Sequence, residues 1–214
     1  MNPTAAKRDA MLESISSTIK VVPRRDFLLA SGAVAAGTYM RGDQALAQSA
    51  RKGRQSVTDQ DREYMRQAIQ LMRQAGVIDK TGGPFGAVVV KDGQVVAASG
   101  NSVVKDNDPS AHAEVNAIRA ACRKLGSPNI PGAVLYSSCE PCPMCYSTAY
   151  WARISKIYFA ASWTDYADLF DDSAISQDMA KPYPRRKVAL QQIMRDEAQK
   201  VWLEFRKLPD RAKY

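Results

Sequence analysis

The chain's only histidine, two of its four cysteines and one glutamate are spaced as a metal-centred reaction site requires. His112-Ala113-Glu114 and Pro141-Cys142-Pro143-Met144-Cys145 each stand where a helix is expected to begin. Residues three apart on a helix share a side, so Cys142 and Cys145 can aim their sulfurs at one ion. Unpaired N–H groups in a first helical turn make the potential positive, which favours thiolate over thiol. His112 supplies a third ligand from a neighbouring helix. Three protein ligands leave the fourth position of a tetrahedral zinc open to water, as in catalytic sites. Zinc would lower the pKa of that water, and Glu114 would carry its proton.

Two other chemistries use the same residue types. Cys-x-x-Cys at a strand–helix junction is also a thiol–disulfide redox motif, but a redox protein has no use for His112-Ala113-Glu114. A structural zinc site would want four protein ligands. Cys139 could be the fourth, which would leave Glu114 without a role. The spacing therefore favours one catalytic zinc per chain. Cys122 and Cys139 are expected to pack, with their pairing left open.

These residues need elements to hold them. Thr58 is expected to cap a helix whose apolar Met65, Ile69 and Met72 recur at helical spacing and which Gly76 ends. Phe85–Val90 and Gln94–Ser99 flank Asp92-Gly93 as a hairpin. Asn101–Ser110 is a polar loop. A helix over 111–125 buries Val115, Ile118, Ala121, Cys122 and Leu125 on one face, and Gly126 stops it. A strand at 133–138, a helix from Pro141 to about Ala152 and a strand at 156–161 follow. Val188–Leu190 is a possible further strand before a long helix over 191–208. Alternating strands and helices predict a central sheet covered on both faces.

The 214 residues carry a formal charge of +8. The basic residues are scattered, with short clusters at Arg51-Lys52-Gly53-Arg54 and Arg185-Arg186-Lys187, a pattern of solvated faces rather than a nucleic-acid footprint. Arg24-Arg25 precedes Phe27-Leu28, as in twin-arginine export signals, although Pro23 and Leu29 depart from the usual residues. The apolar stretch 27–39 is too short to span a bilayer. Ala45-Leu46-Ala47 resembles a signal-peptidase site with cleavage before Gln48. The expected organisation is an export signal at 1–47, a leader at 48–57 and a zinc domain at 58–214, working in the periplasm. Zinc bound before export would keep the Cys-x-x-Cys sulfurs from oxidising in that compartment.

His-x-Glu followed by Pro-Cys-x-x-Cys is the signature of zinc deaminases. At these residues the chain resembles the cytidine/deoxycytidylate deaminase superfamily, and more closely the small bacterial guanine deaminases. The resemblance runs from about residue 58 to the C-terminus. It is carried by Pro84-Phe85-Gly86-Ala87, Asn101, the run Asn107 to Val115, the run Cys139 to Cys145, Tyr150-Trp151-Ala152-Arg153 and Phe170-Asp171-Asp172. It implies a three-layer α/β/α sandwich with a five-stranded mixed sheet, and a homodimer that exchanges C-terminal segments. It implies a small purine substrate, with guanine converted to xanthine and ammonia. Asn101 and the backbone of Ala113 would bond the base, Phe85 would pack on the ring, Asp172 would hold a purine edge, and Tyr214 would close the pocket. Deamination of another nucleobase, a nucleoside or a tRNA adenosine is the alternative of the same class, and a periplasmic thiol–disulfide protein the alternative of another.

Overall fold

The computed structural model of the protein describes residues 56–213. The expected export signal, its expected cleavage site before Gln48 and Tyr214 lie outside the described residues. None of the described helices is long and apolar enough to cross a membrane.

Helix α1 spans Asp59–Arg73 and opens on a reciprocal capping box between Thr58 and Asp61. It does not stop at Gly76. The chain continues through a π-turn over Gln74–Ile78. Strands β1 (Gly86–Lys91) and β2 (Gln94–Gly100) are antiparallel. They are joined at Asp92 and Gly93, with φ of 51° and 74°. Two successive positive φ values are the turn that Asp-Gly favours in a hairpin. A single turn of helix, α2 (Val103–Asp106), interrupts the expected polar loop. Helix α3 (Ala113–Leu125), strand β3 (Val134–Cys139), helix α4 (Pro143–Trp151) and strand β4 (Lys156–Ala161) follow. Helices α5 (Ser173–Met179) and α6 (Arg195–Lys207) complete the chain.

The sheet order is β2-β1-β3-β4, antiparallel except for the parallel β3–β4 pair. Central β1 is buried on both faces, which explains its unbroken apolar run Ala87-Val88-Val89-Val90. Ala87, Val89 and Leu135 face α3 and α4, where Ala117, Ile118, Ala121 and Ala149 close the larger core. Val88, Val90 and Tyr136 face α1, against Tyr64 and Ala68. The layers are thus helix, mixed sheet, helix.

Other expectations change as well. The described residues form four strands rather than five. Val188–Leu190 is exposed coil, because the preceding backbone is held elsewhere: the Lys187 N–H donates to both carboxylate oxygens of Asp178, and Arg186 donates to the carbonyls of Lys181 and Met179. The last helix begins at Arg195, not 191, since Met194 has a φ of 52° that no continuous helix tolerates. On α1 the buried face is Tyr64 and Ala68, and Ile69 is exposed. Leu125 of α3 is likewise exposed.

Candidate active site

Two helix starts meet under the end of β3. His112 is the residue before α3 and Cys142 the residue before α4, both in extended conformation, while Cys145 lies in the first turn of α4. His112 Nδ1 stands 3.7 Å from Cys142 Sγ and 3.5 Å from Cys145 Sγ. All three ligand atoms lie within 4.8 Å of one another. Zn–S near 2.3 Å and Zn–N near 2.0–2.1 Å give a tetrahedron with N···S edges of about 3.6 Å. The donor set therefore fits one zinc ion with a position to spare. Its chemistry agrees. The Cys142 thiol is lowered to about 4, first by the hydrogen bond from Cys145 and also by His112. Cys145 is pushed up, first by its bond to Cys142 and then by burial. A dication held here would take both sulfurs as thiolates. Cys139 and Cys122 are free thiols, and Cys139 is not in the metal-holding group.

Glu114 follows His112 by two residues and is only 4% exposed. Burial raises the pKa of its carboxyl. Its Oε1 accepts a hydrogen bond from Ser137 Oγ at 3.1 Å. Ser137 is a fully buried hydroxyl on β3, and nothing in the Cys/His pattern pointed to it.

A cavity of about 190 Å³ opens onto this group. His112, Cys142 and Glu114 border it, together with Phe85, Asn101, Phe170 and Asp172. The structure thus brings together all the described candidate side chains except Ala113. Ala113 opens α3 and is fully buried, and its N–H is one of those a helix start leaves without an intrahelical acceptor.

Asn101 is 3% exposed. Its Oδ1 accepts from the Val103 N–H at 3.1 Å, and its own N–H donates to the Phe85 carbonyl at 3.0 Å. With the oxygen so engaged, its NH₂ is the end left to donate into the cavity. Phe85 meets Phe170 edge-on at 5.3 Å and Tyr166 at 5.6 Å. Asp172 is raised by burial and by the Cys142 charge.

Two glycines missing from the sequence-based set shape this wall. A Cβ on Gly82 would overlap Asn101 Oδ1, and one on Gly83 would come within 2.7 Å of the Phe85 ring. Only these contacts reveal why side chains are excluded at Gly82 and Gly83.

Comparison with known proteins agrees with this geometry. Residues 58–161 match the cytidine and deoxycytidylate deaminase zinc-binding region. The chain is 42% identical over 152 residues to guanine deaminase of Bacillus subtilis, covering 71% of this chain and 97% of that protein. The crystal structure of a Bacillus subtilis guanine deaminase superposes with a TM-score of 0.69 at 41% identity, over 72% of this chain and 98% of that one. A tRNA-specific adenosine deaminase of Agrobacterium fabrum is 46% identical over 98 residues, 46% of this chain and 63% of that protein. The thiol–disulfide reading gains no support from these relatives. The chain belongs to the cytidine and deoxycytidylate deaminase family of zinc-dependent hydrolytic deaminases.

Proposed function

We propose that the protein deaminates guanine to xanthine. The observation that carries this is a base-sized cavity bordered at once by His112 and Cys142 of the metal-holding group, by Glu114 and by the Asn101 amide. At about 190 Å³ it is smaller than the ~300–1,000 Å³ of sites for drug-sized ligands, which suits a free base. Similarity to guanine deaminase along nearly the whole of that protein supports the same substrate.

Zinc, when bound, supplies an electrophilic centre that makes water acidic near neutrality. The chain's own groups do the rest. Glu114 takes a proton from the water that adds at C2 of guanine and passes it to a ring nitrogen. It then delivers a proton to the departing amine, so that guanine and water become xanthine and ammonia. Asn101 donates its NH₂ to an acceptor on the base, and the Ala113 N–H offers a second donor. Phe85 packs against the ring, and Asp172 accepts from a purine N–H edge.

Tyr214 closes the pocket in this reading, from the partner subunit of a homodimer that exchanges C-terminal segments. In support, α6 has no buried residue, and Val201, Trp202 and Leu203 are each more than half exposed. A second cavity of about 340 Å³ adjoins the first at Glu140, Cys142 and Asp172 and gives a tail room to enter. The twin-arginine pattern supports work in the periplasm.

Ammonia release from guanine, guanosine, cytosine, adenine and a tRNA anticodon stem-loop tests the substrate. Guanine is expected to lead. Silence on guanine with turnover of the stem-loop would replace this reading by tRNA adenosine deamination, which the likeness to tRNA-specific adenosine deaminase keeps as the second reading.

A further inference from the structure

Glu140 belongs to neither the metal-holding group nor the proposed proton path, yet it borders both cavities. It sits between the end of β3 and Cys142, on the stretch that delivers the metal-holding cysteines. Its contacts lead away from the metal. Glu140 Oε2 accepts from the Trp163 N–H at 3.3 Å and from Ser162 Oγ at 3.4 Å. Its carbonyl accepts from Tyr166 Oη at 3.3 Å, and its N–H donates to the Ala161 carbonyl at 2.8 Å. One residue therefore bonds to the last residue of β4, Ala161, and to three residues of the segment that leaves it, Ser162, Trp163 and Tyr166.

Among the described residues that segment is otherwise held by aromatic packing on Phe85 and by short-range hydrogen bonds. It continues no strand, and its one regular piece before α5 is a single 3₁₀ turn over Trp163–Asp165. Its remaining polar ties are local, such as Asp165 to Ser162 and the Leu169 and Phe170 N–H groups to the Tyr166 carbonyl. Yet it supplies a wall of the base cavity. Tyr166 and Phe170 pack edge-on against Phe85, and Phe170 and Asp172 line the cavity.

We propose that Glu140 is a positioning residue that latches the segment 162–172 to the metal-bearing loop, holding Phe170 and Asp172 at the distance from the metal that a base requires. The proposal rests on the reading of that cavity as the base site. Its chemistry needs an acceptor at Oε2, not a charge. Glu140→Ala removes the two side-chain bonds and leaves the two backbone ones. Glu140→Gln keeps an oxygen able to accept from the Trp163 N–H.

Two measurements on zinc-loaded protein test it. The first is amide hydrogen exchange of peptides covering 162–172, without substrate. The Trp163 amide in Glu140→Ala is expected to exchange at least about tenfold faster than in the parent, because its acceptor is gone. Glu140→Gln should restore most of the protection. The second is steady-state kinetics with guanine. Glu140→Ala should raise KM about tenfold, or ~1.4 kcal/mol, while kcat falls no more than about threefold. Zinc should stay at one per chain, and Glu140→Gln should recover KM. Unchanged exchange in Glu140→Ala would overturn the latch. Faster exchange with parental KM would overturn its role in placing the base, as would a loss confined to kcat. Because exchange is read without substrate, a parent enzyme inactive on guanine would defeat the guanine assignment and leave the latch to be judged by exchange.

Discussion

Ser137→Ala separates the proton carrier from its support. Ser137 Oγ donates to Glu114 Oε1 at 3.1 Å, and both side chains are buried. The substitution removes one oxygen from a position in β3 that pairs with Ala87 and Phe159, so the sheet keeps its register. What is lost is a hydrogen bond to a buried carboxylate. Bonds to charged groups contribute about 1.5–3 kcal/mol, which spans roughly ten- to 150-fold in rate if all of it is expressed in the transition state. The 3.1 Å separation belongs at the weak end, so kcat should fall about tenfold with KM little changed. Glu114→Ala, which removes the carrier itself, should cost about 10²–10⁴. The decisive assay is the double variant. If Ser137 acts only through Glu114, adding Ser137→Ala to Glu114→Ala should cost nothing more. Ammonia release, zinc content and thermal melting of all four proteins complete the cycle. A further tenfold loss in the double variant, or parental kcat in Ser137→Ala, would refute the argument.

Gly82→Ala places a methyl group on Asn101 Oδ1, so it should turn the amide away and raise KM for guanine by about tenfold or more with zinc content intact; steady-state kinetics and metal analysis check this. Asp61→Asn should lower stability by roughly 1–2 kcal/mol, because Asp61 accepts from Tyr136 Oη at 2.5 Å and from the Thr58 N–H and hydroxyl at 2.7 Å. The Tyr136 hydroxyl, foremost, holds this carboxyl below its ordinary 3.8. Its contribution is therefore complete above pH 3.8 and lost as pH falls further, so parent and variant melting temperatures should converge only in strong acid. Deleting Lys213 and Tyr214 should raise KM or lower kcat strongly at constant zinc, and wild-type kinetics in the truncated enzyme would remove the tail from the site. Mature protein in the periplasmic fraction should begin at Gln48, and Arg24→Lys with Arg25→Lys should abolish export; cell fractionation with N-terminal sequencing checks both.

The parts of this protein legible in its sequence are those where one local rule decides the outcome. Asp92-Gly93 had to be a hairpin because both residues adopt positive φ. Thr58 had to cap because Asp61 completes the reciprocal bond three residues on. The metal group was legible because helix starts place His112, Cys142 and Cys145 by spacing alone. The misread parts are those where two elements approach closely, and there bulk is a poor guide to burial. On α1 the large Ile69 suggested the inner face, but the sheet comes so near that a Cβ on Gly86 would overlap the Ala68 carbonyl. Only Ala68 fits beneath it, and Ile69 is turned outward. Gly76 reads as a helix stop, yet its missing side chain makes room for Pro84, whose Cα would lie 2.5 Å from a Cβ there. Pro84 in turn leads into Phe85 and the base cavity. Gly82 and Ser137 escaped for a related reason: each acts on a residue far along the chain, Asn101 or Glu114, by vacating space or by one buried bond, and Gly83 likewise vacates space for the Phe85 ring. A chemical motif shows itself when its own atoms do the chemistry, whereas the residues that aim those atoms show themselves only through contacts. The same distinction puts Glu140, two residues from a metal-holding cysteine, with the supporting residues: its bonds run to the segment that carries Phe170 and Asp172 to the cavity.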